Sequence, residues 1–167
     1  VAAGKLVIGI CNGFQVLIKA GLLPWAKVDP AAPQRDATLA WNDTGRFEDF
    51  WIHLRADSDK CVFLPKGEVV ALPIAHGEGK FAFAPDTAEE DLKRLEAAGQ
   101  IVFRYVKPDG SPAGGEFPYN PNGSIADIAG ICNERGNVFG MMPHPENAID
   151  PLQAPDWTRR PRTPCGL

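Results

Sequence analysis

Lys5-Leu6-Val7-Ile8-Gly9-Ile10-Cys11-Asn12-Gly13-Phe14-Gln15-Val16-Leu17-Ile18-Lys19-Ala20-Gly21 is the stretch whose reading decides the fold. An apolar run over residues 6–10 predicts a strand that stops at Cys11. A helical pattern begins at once, with Phe14, Leu17 and Ile18 on one face and Gly21 placed to close it. Strand, sharp turn and helix with a thiol at the apex is the geometry of a nucleophile elbow, which predicts a strained backbone at Cys11. Gly9 and Gly13 stand two residues either side of the thiol, where strand and helix approach closely and a Cβ would obstruct. The sulfur is expected at a helix N-terminus, whose unpaired N–H groups and dipole favour thiolate over thiol. Read alone, the stretch fits a buried core cysteine equally well, because free cysteine is among the most buried residue types.

A second stretch, Asn137-Val138-Phe139-Gly140-Met141-Met142-Pro143-His144-Pro145-Glu146, changes that balance. Here another apolar strand runs into a rigid turn carrying a histidine and a glutamate. Pro145 biases His144 towards an extended backbone. In that conformation residues two apart share a face, so Glu146 is expected beside His144. A carboxylate there holds one imidazole nitrogen and leaves the other for a nucleophile. Cys11, His144 and Glu146 thus form a nucleophile, base and orienter set.

Gly9-Ile10-Cys11-Asn12-Gly13-Phe14-Gln15 together with Pro143-His144-Pro145-Glu146 resembles the triad-type, class I glutamine amidotransferases. Three further stretches narrow the likeness to the glutaminase component of phosphoribosylformylglycinamidine synthase, an activity of purine biosynthesis. They are Pro73-Ile74-Ala75-His76-Gly77-Glu78-Gly79-Lys80-Phe81, Asn120-Pro121-Asn122-Gly123-Ser124-Ile125-Ala126-Asp127-Ile128-Ala129-Gly130, and Gly140 to Glu146. The likeness runs from residue 5 to about residue 150.

The resemblance implies a flavodoxin-like α/β fold: a mostly parallel sheet, Cys11 after a central strand, helices on both faces and an antiparallel excursion. It implies a domain over residues 1–150 with a Pro-rich tail over 151–167. It implies glutamine hydrolysis by Cys11, His144 and Glu146, with Asn12 and Gly13 at the oxyanion and Gln15 at the substrate. His76, Gly77, Glu78 and Gly79 become candidates for a loop facing the synthase subunit or domain. No cofactor is expected in this chain; ATP and Mg2+ are expected in the synthase partner, which would use the ammonia on formylglycinamide ribonucleotide. The family's first strands, and the Gly-rich loop expected to complete its oxyanion hole, have no counterpart upstream of the elbow. Two other readings stay open: a truncated, catalytically inactive amidotransferase fragment, and another Cys-His-Glu hydrolase such as a peptidase.

The rest of the chain bounds these readings. Its 167 residues suit one domain, and its formal charge of -4 argues against nucleic acid or an anionic membrane as partner. Neither an apolar run of membrane length nor a signal-peptide pattern is present. Cys11, Cys61, Cys132 and Cys165 lie far apart without C-x-x-C spacing, which suggests neither a metal site nor a disulfide framework. Unpaired thiols fit a reducing cytoplasm.

Between the two motifs, residues 21–34 read as a Pro-rich loop. Residues 37–41 and 46–55 read as strands joined by the Asn-Asp-Thr-Gly turn, and 67–75 as another. Strands following one another without helices predict the antiparallel excursion. His76-Gly77-Glu78-Gly79-Lys80 is a Gly-rich turn that lacks the Ser or Thr of a phosphate loop. Thr87 and Glu90 form a capping-box pattern for a helix with Leu92 and Leu95 inward and Gly99 at its end. Residues 101–106 read as a strand, and 125–132 with 137–142 as a hairpin.

Overall fold

Val7–Ile10 is strand β1 and Asn12–Lys19 is helix α1, with Cys11 alone between them. The computed structural model describes residues 1, 3–26, 36–63 and 66–159. Helix α1 buries Phe14, Leu17 and Ile18. It closes as the sequence predicts: Gly21 N–H donates to Ile18 O and Leu22 N–H to Leu17 O, both at 3.0 Å. That pair satisfies two carbonyls that a helix end otherwise leaves bare.

The chain continues through β2 (Ala37–Ala40), β3 (Glu48–Ala56), β4 (Val69–His76), β5 (Lys80–Phe83), α2 (Ala88–Ala97), β6 (Ile101–Val106), β7 (Ile128–Cys132) and β8 (Val138–Met141). Among the described residues, six strands form one sheet in the order β1-β8-β7-β6-β3-β4, while β2 and β5 pair separately. The α/β class is as expected. The mostly parallel sheet is not seen among the described residues: β1 and β8 run parallel, and the other four neighbour pairs of the large sheet are antiparallel. Parallel neighbours need a crossover of a dozen or more residues, usually a helix, and the turn between β7 and β8 is far too short for one.

Two other expectations need correction. Both helices feed one apolar cluster, where Phe14, Leu17 and Ile18 meet Leu95, so the described helices share one side of the sheet. The other side is built by the strands and loops themselves, with Ile52, Leu54, Leu72, Ile74, Phe103, Tyr105 and Phe139. Strand β1, expected to be central, lies at the end of the described sheet with β8 as its one neighbour.

Strand β2 does not pair with β3 across the Asn-Asp-Thr-Gly turn; it pairs antiparallel with β5, Leu39 opposite Phe81. The alternation of Phe81 and Phe83 is the signal for β5, and the glycines just before it obscured that signal. Thr87 makes no side-chain cap. Glu89, Glu90 and Asp91 in the first turn of α2 complement the helix dipole instead. Residues 27–35 of the expected loop and 160–167 of the expected tail, Cys165 included, lie outside the described residues. Within the expected tail, Pro151–Gln153 and Trp157–Arg159 form 3-10 turns and Ala154 is buried.

Candidate active site

Cys11 has φ 50° and ψ −107°, a positive φ that a residue with a Cβ rarely adopts. Such a conformation costs on the order of 1–3 kcal/mol and persists only when its surroundings impose it. Here Cys11 N–H is tied to Met141 O at 2.8 Å and Cys11 O accepts from Gln15 N–H at 3.2 Å. The two glycines differ. A Cβ on Gly9 would lie 2.6 Å from Gly13 O and 2.6 Å from a Leu17 methyl, so Gly9 is required by close approach. A Cβ on Gly13 would meet nothing within 4 Å, so Gly13 leaves open space in front of the helix rather than relieving a clash.

Because β1 and β8 are parallel neighbours, their C-terminal ends lie side by side. Cys11 directly follows β1, and His144 follows β8 by three residues. His144 N–H donates to Pro73 O at 2.9 Å, which anchors the turn on β4. Its Nδ1 lies 2.6 Å from Glu146 Oε1. A carboxylate only accepts, so Nδ1 carries a hydrogen and Nε2 is the ring nitrogen left for another partner. That Nε2 is buried and has no hydrogen-bond partner among the described residues. The route to this pairing differs from the expected one. Glu146 sits in a 3-10 turn, Pro145–Asn147, not in an extended segment.

The thiol does not sit as the sequence suggested. Sγ of Cys11 donates to Ala75 O, 3.8 Å away, and not to the imidazole. Burial pushes the Cys11 thiol up rather than down; the Asn12 backbone N–H pulls it back, and the Glu146 charge adds to the rise. Desolvation thus outweighs the helix terminus in the resting state. Cys61 and Cys132 are buried and unpaired, and burial raises both thiols, Cys132 to about 12.

The four residues of the candidate partner-facing loop differ in exposure. His76 is 3% exposed, so its ring lies on no surface that a partner could reach, and Gly79 is buried above it. A Cβ at Gly79 would collide with the imidazole. Gly77 and Glu78 are half-buried. The loop's carbonyls point at the elbow: Ala75 O receives the thiol, and Glu78 O accepts from Gln15 Nε2 at 2.9 Å. Gln15 is therefore engaged with the loop through its Nε2. Burial lowers His76 to about 4, assisted by the neighbouring His144.

Two asparagines that carried no role in the sequence reading organise this loop. Asn42 Nδ2 donates to His76 O at 2.8 Å and to Arg46 O at 2.9 Å, while its Oδ1 accepts from Gly79 N–H and faces His76 Nδ1, both at 3.1 Å. Asn122 Nδ2 donates to Gly79 O at 2.9 Å and to Tyr105 Oη at 3.0 Å. Asn42 read as an ordinary turn residue. The Asn-Pro-Asn-Gly-Ser stretch was a motif without an assigned chemistry, and only tertiary contacts give it one.

Residues 1–166 match the family described as the CobB/CobQ-like glutamine amidotransferase domain. The phosphoribosylformylglycinamidine synthase subunit PurQ of Archaeoglobus fulgidus is 49% identical over 149 residues, covering 87% of this chain and 54% of that protein. The subunit of the same name from Treponema denticola is 47% identical over 161 residues, covering 89% and 58%. A solved structure titled PurLQS from Thermotoga maritima superposes with a TM-score of 0.64 at 37% identity, covering 91% of this chain and 56% of that one. The chain spans about half the length of the curated relatives it matches.

Proposed function

The chain belongs to the CobB/CobQ-like glutamine amidotransferase family, and from that premise we propose that Cys11, His144 and Glu146 hydrolyse the side-chain amide of glutamine. The observation that supports the reading is the His144–Glu146 bond of 2.6 Å, which leaves a buried Nε2 without a partner on the turn after β8, the parallel neighbour of the strand that ends at the strained Cys11 elbow. The resting thiol is protonated, so the reaction starts with transfer of the Cys11 proton to His144 Nε2. The thiolate then attacks the amide carbon. The oxyanion that forms is met by the Asn12 and Gly13 backbone N–H groups at the start of α1, which have no acceptor within the helix.

Collapse of the tetrahedral species breaks the C–N bond. His144 gives its proton to the leaving nitrogen, releasing ammonia and a thioester on Cys11. His144 then takes a proton from water, which attacks the thioester, and returns it to the sulfur as glutamate departs. Glu146 holds the ring in one tautomer throughout. Gln15, whose Nε2 is tied to Glu78 O, is the residue we assign to contact with the substrate.

The relatives' names, which are those of synthase subunits, support a destination for the ammonia. In the whole protein it passes to a synthase component that uses ATP to convert formylglycinamide ribonucleotide to formylglycinamidine ribonucleotide. A diazoketone analogue of glutamine tests the core of the reading. One adduct is expected, on Cys11, blocked by glutamine and absent in Cys11→Ala. Labelling elsewhere, or labelling that glutamine does not block, would refute it. In the assembled synthase, Cys11→Ala is expected to abolish glutamine use while free ammonia still supports synthesis.

A further inference from the structure

Glu78 O and Gly79 N–H are the two ends of one planar peptide, and a different side chain holds each end. Asn42 Oδ1 accepts from Gly79 N–H at 3.1 Å, and Gln15 Nε2 donates to Glu78 O at 2.9 Å. The other end of the Asn42 amide fixes its orientation. Its Nδ2 donates to Arg46 O at 2.9 Å and to His76 O at 2.8 Å, and carbonyls only accept. The Asn42 backbone N–H adds a bond to Gly77 O at 2.9 Å, and the residue is 3% exposed. The carbonyls from His76 to Gly79 are thereby shared out. Asn42 takes those of His76 and Gly77, Asn122 takes that of Gly79, and Glu78 O is the one that meets helix α1.

A peptide turns over by rotation about the bonds that flank it, and at 78–79 Gly79 brings no Cβ to oppose that rotation. The Asn42 acceptor opposes it instead. Turning Glu78 O away from α1 would carry Gly79 N–H away from Asn42 Oδ1, leaving both groups without their partner. We propose that Asn42 is a positioning residue of the glutaminase site: it holds the 78–79 peptide, keeps Glu78 O aimed at α1, and so fixes the Gln15 amide that glutamine meets. The thiol and the imidazole are anchored elsewhere, by Ala75 O and Pro73 O of β4. Loss of the Asn42 bond should therefore weaken substrate binding and spare the chemical step.

The proposal rests on the glutaminase reading and on the assignment of Gln15 to the substrate. A double-mutant cycle in the assembled synthase tests it, with KM for glutamine and kcat measured for Asn42→Ala, Gln15→Ala and the pair. Each single variant should raise KM about three- to tenfold, the range for one neutral hydrogen bond, with kcat little changed. Because both act through one peptide, the pair should be no worse than the worse single variant. An Asn42 that served only the fold would lower stability with KM unchanged. KM factors that multiply in the pair would show that the two residues act independently. Either result overturns the proposal. Should Asn42→Ala fail to fold, amide hydrogen exchange in the 167-residue chain decides. The Gly79 amide should exchange slowly in the wild-type sequence and in Gln15→Ala alike, since Asn42 holds it. Free exchange in either chain overturns the proposal. Glutamine use that survives Cys11→Ala would instead count against the glutaminase reading, whatever the cycle shows.

Discussion

His144 Nδ1 donates to Glu146 Oε1 at 2.6 Å, and this one bond leaves Nε2 as the ring nitrogen without a partner among the described residues. The carboxylate is half exposed while the ring is mostly enclosed, so the charge stays solvated beside a sheltered imidazole. The backbone bond from His144 N–H to Pro73 O, 2.9 Å, ties the turn that carries both residues to β4.

Replacing the base should cost more than replacing its orienter. His144→Ala is expected to lower glutamine hydrolysis by about a hundred- to ten-thousandfold, the usual worth of general acid–base catalysis. Glu146→Gln keeps an acceptor for Nδ1 but removes the charge, and should cost about tenfold, the difference between a charged and a neutral hydrogen bond. Steady-state release of ammonia from glutamine checks both. Equal losses in the two variants would show that Glu146 does more than hold the ring.

Acid should destabilise the fold through His76. Its pKa falls from 6.5 to about 4 on folding, chiefly because burial disfavours the charged ring. Between those values the unfolded chain holds a proton that the folded chain lacks. Stability therefore rises with pH across that window and is complete above it. The contribution lost on acidification is at most about 3 kcal/mol. Urea midpoints measured from pH 4 to 7 should show this slope. His76→Gln should lower stability at neutral pH and flatten the slope; an unaltered slope in that variant would assign the acid sensitivity elsewhere.

The glycines of the elbow should separate cleanly. Gly9→Ala places a methyl against the Gly13 carbonyl, a backbone group that cannot swing aside, and should cost about 1–3 kcal/mol or more. Gly13→Ala meets open space in a helix at ordinary φ and should leave stability unchanged or raise it by about 0.5–1 kcal/mol. Thermal or urea unfolding of the two variants decides this. If the costs are reversed, strand and helix do not approach as described. Any loss of glutamine hydrolysis in Gly13→Ala then reports crowding of the substrate rather than damage to the fold.

The sequence by itself determined the local chemistry. An apolar run ending at Cys11 and a helix starting at Asn12 are set by residue-to-residue periodicity. The closure of α1 at Gly21 and the strand leading to His144 follow from neighbouring residues in the same way. Each depends on contacts within a few residues, which one-dimensional pattern can report.

Tertiary structure decided everything that depends on which distant backbones meet. Strand β2 chose β5 over β3, and the sheet among the described residues became mainly antiparallel. The thiol turned to Ala75 O, 64 residues away, and burial reversed the expected direction of its ionisation. Helix position sets the dipole locally, but desolvation depends on all the chain that closes over the sulfur. Asn42 and Asn122 acquired their roles for the same reason. A buried amide bonds whatever donors and acceptors the fold brings to it, and no spacing along the chain specifies those partners.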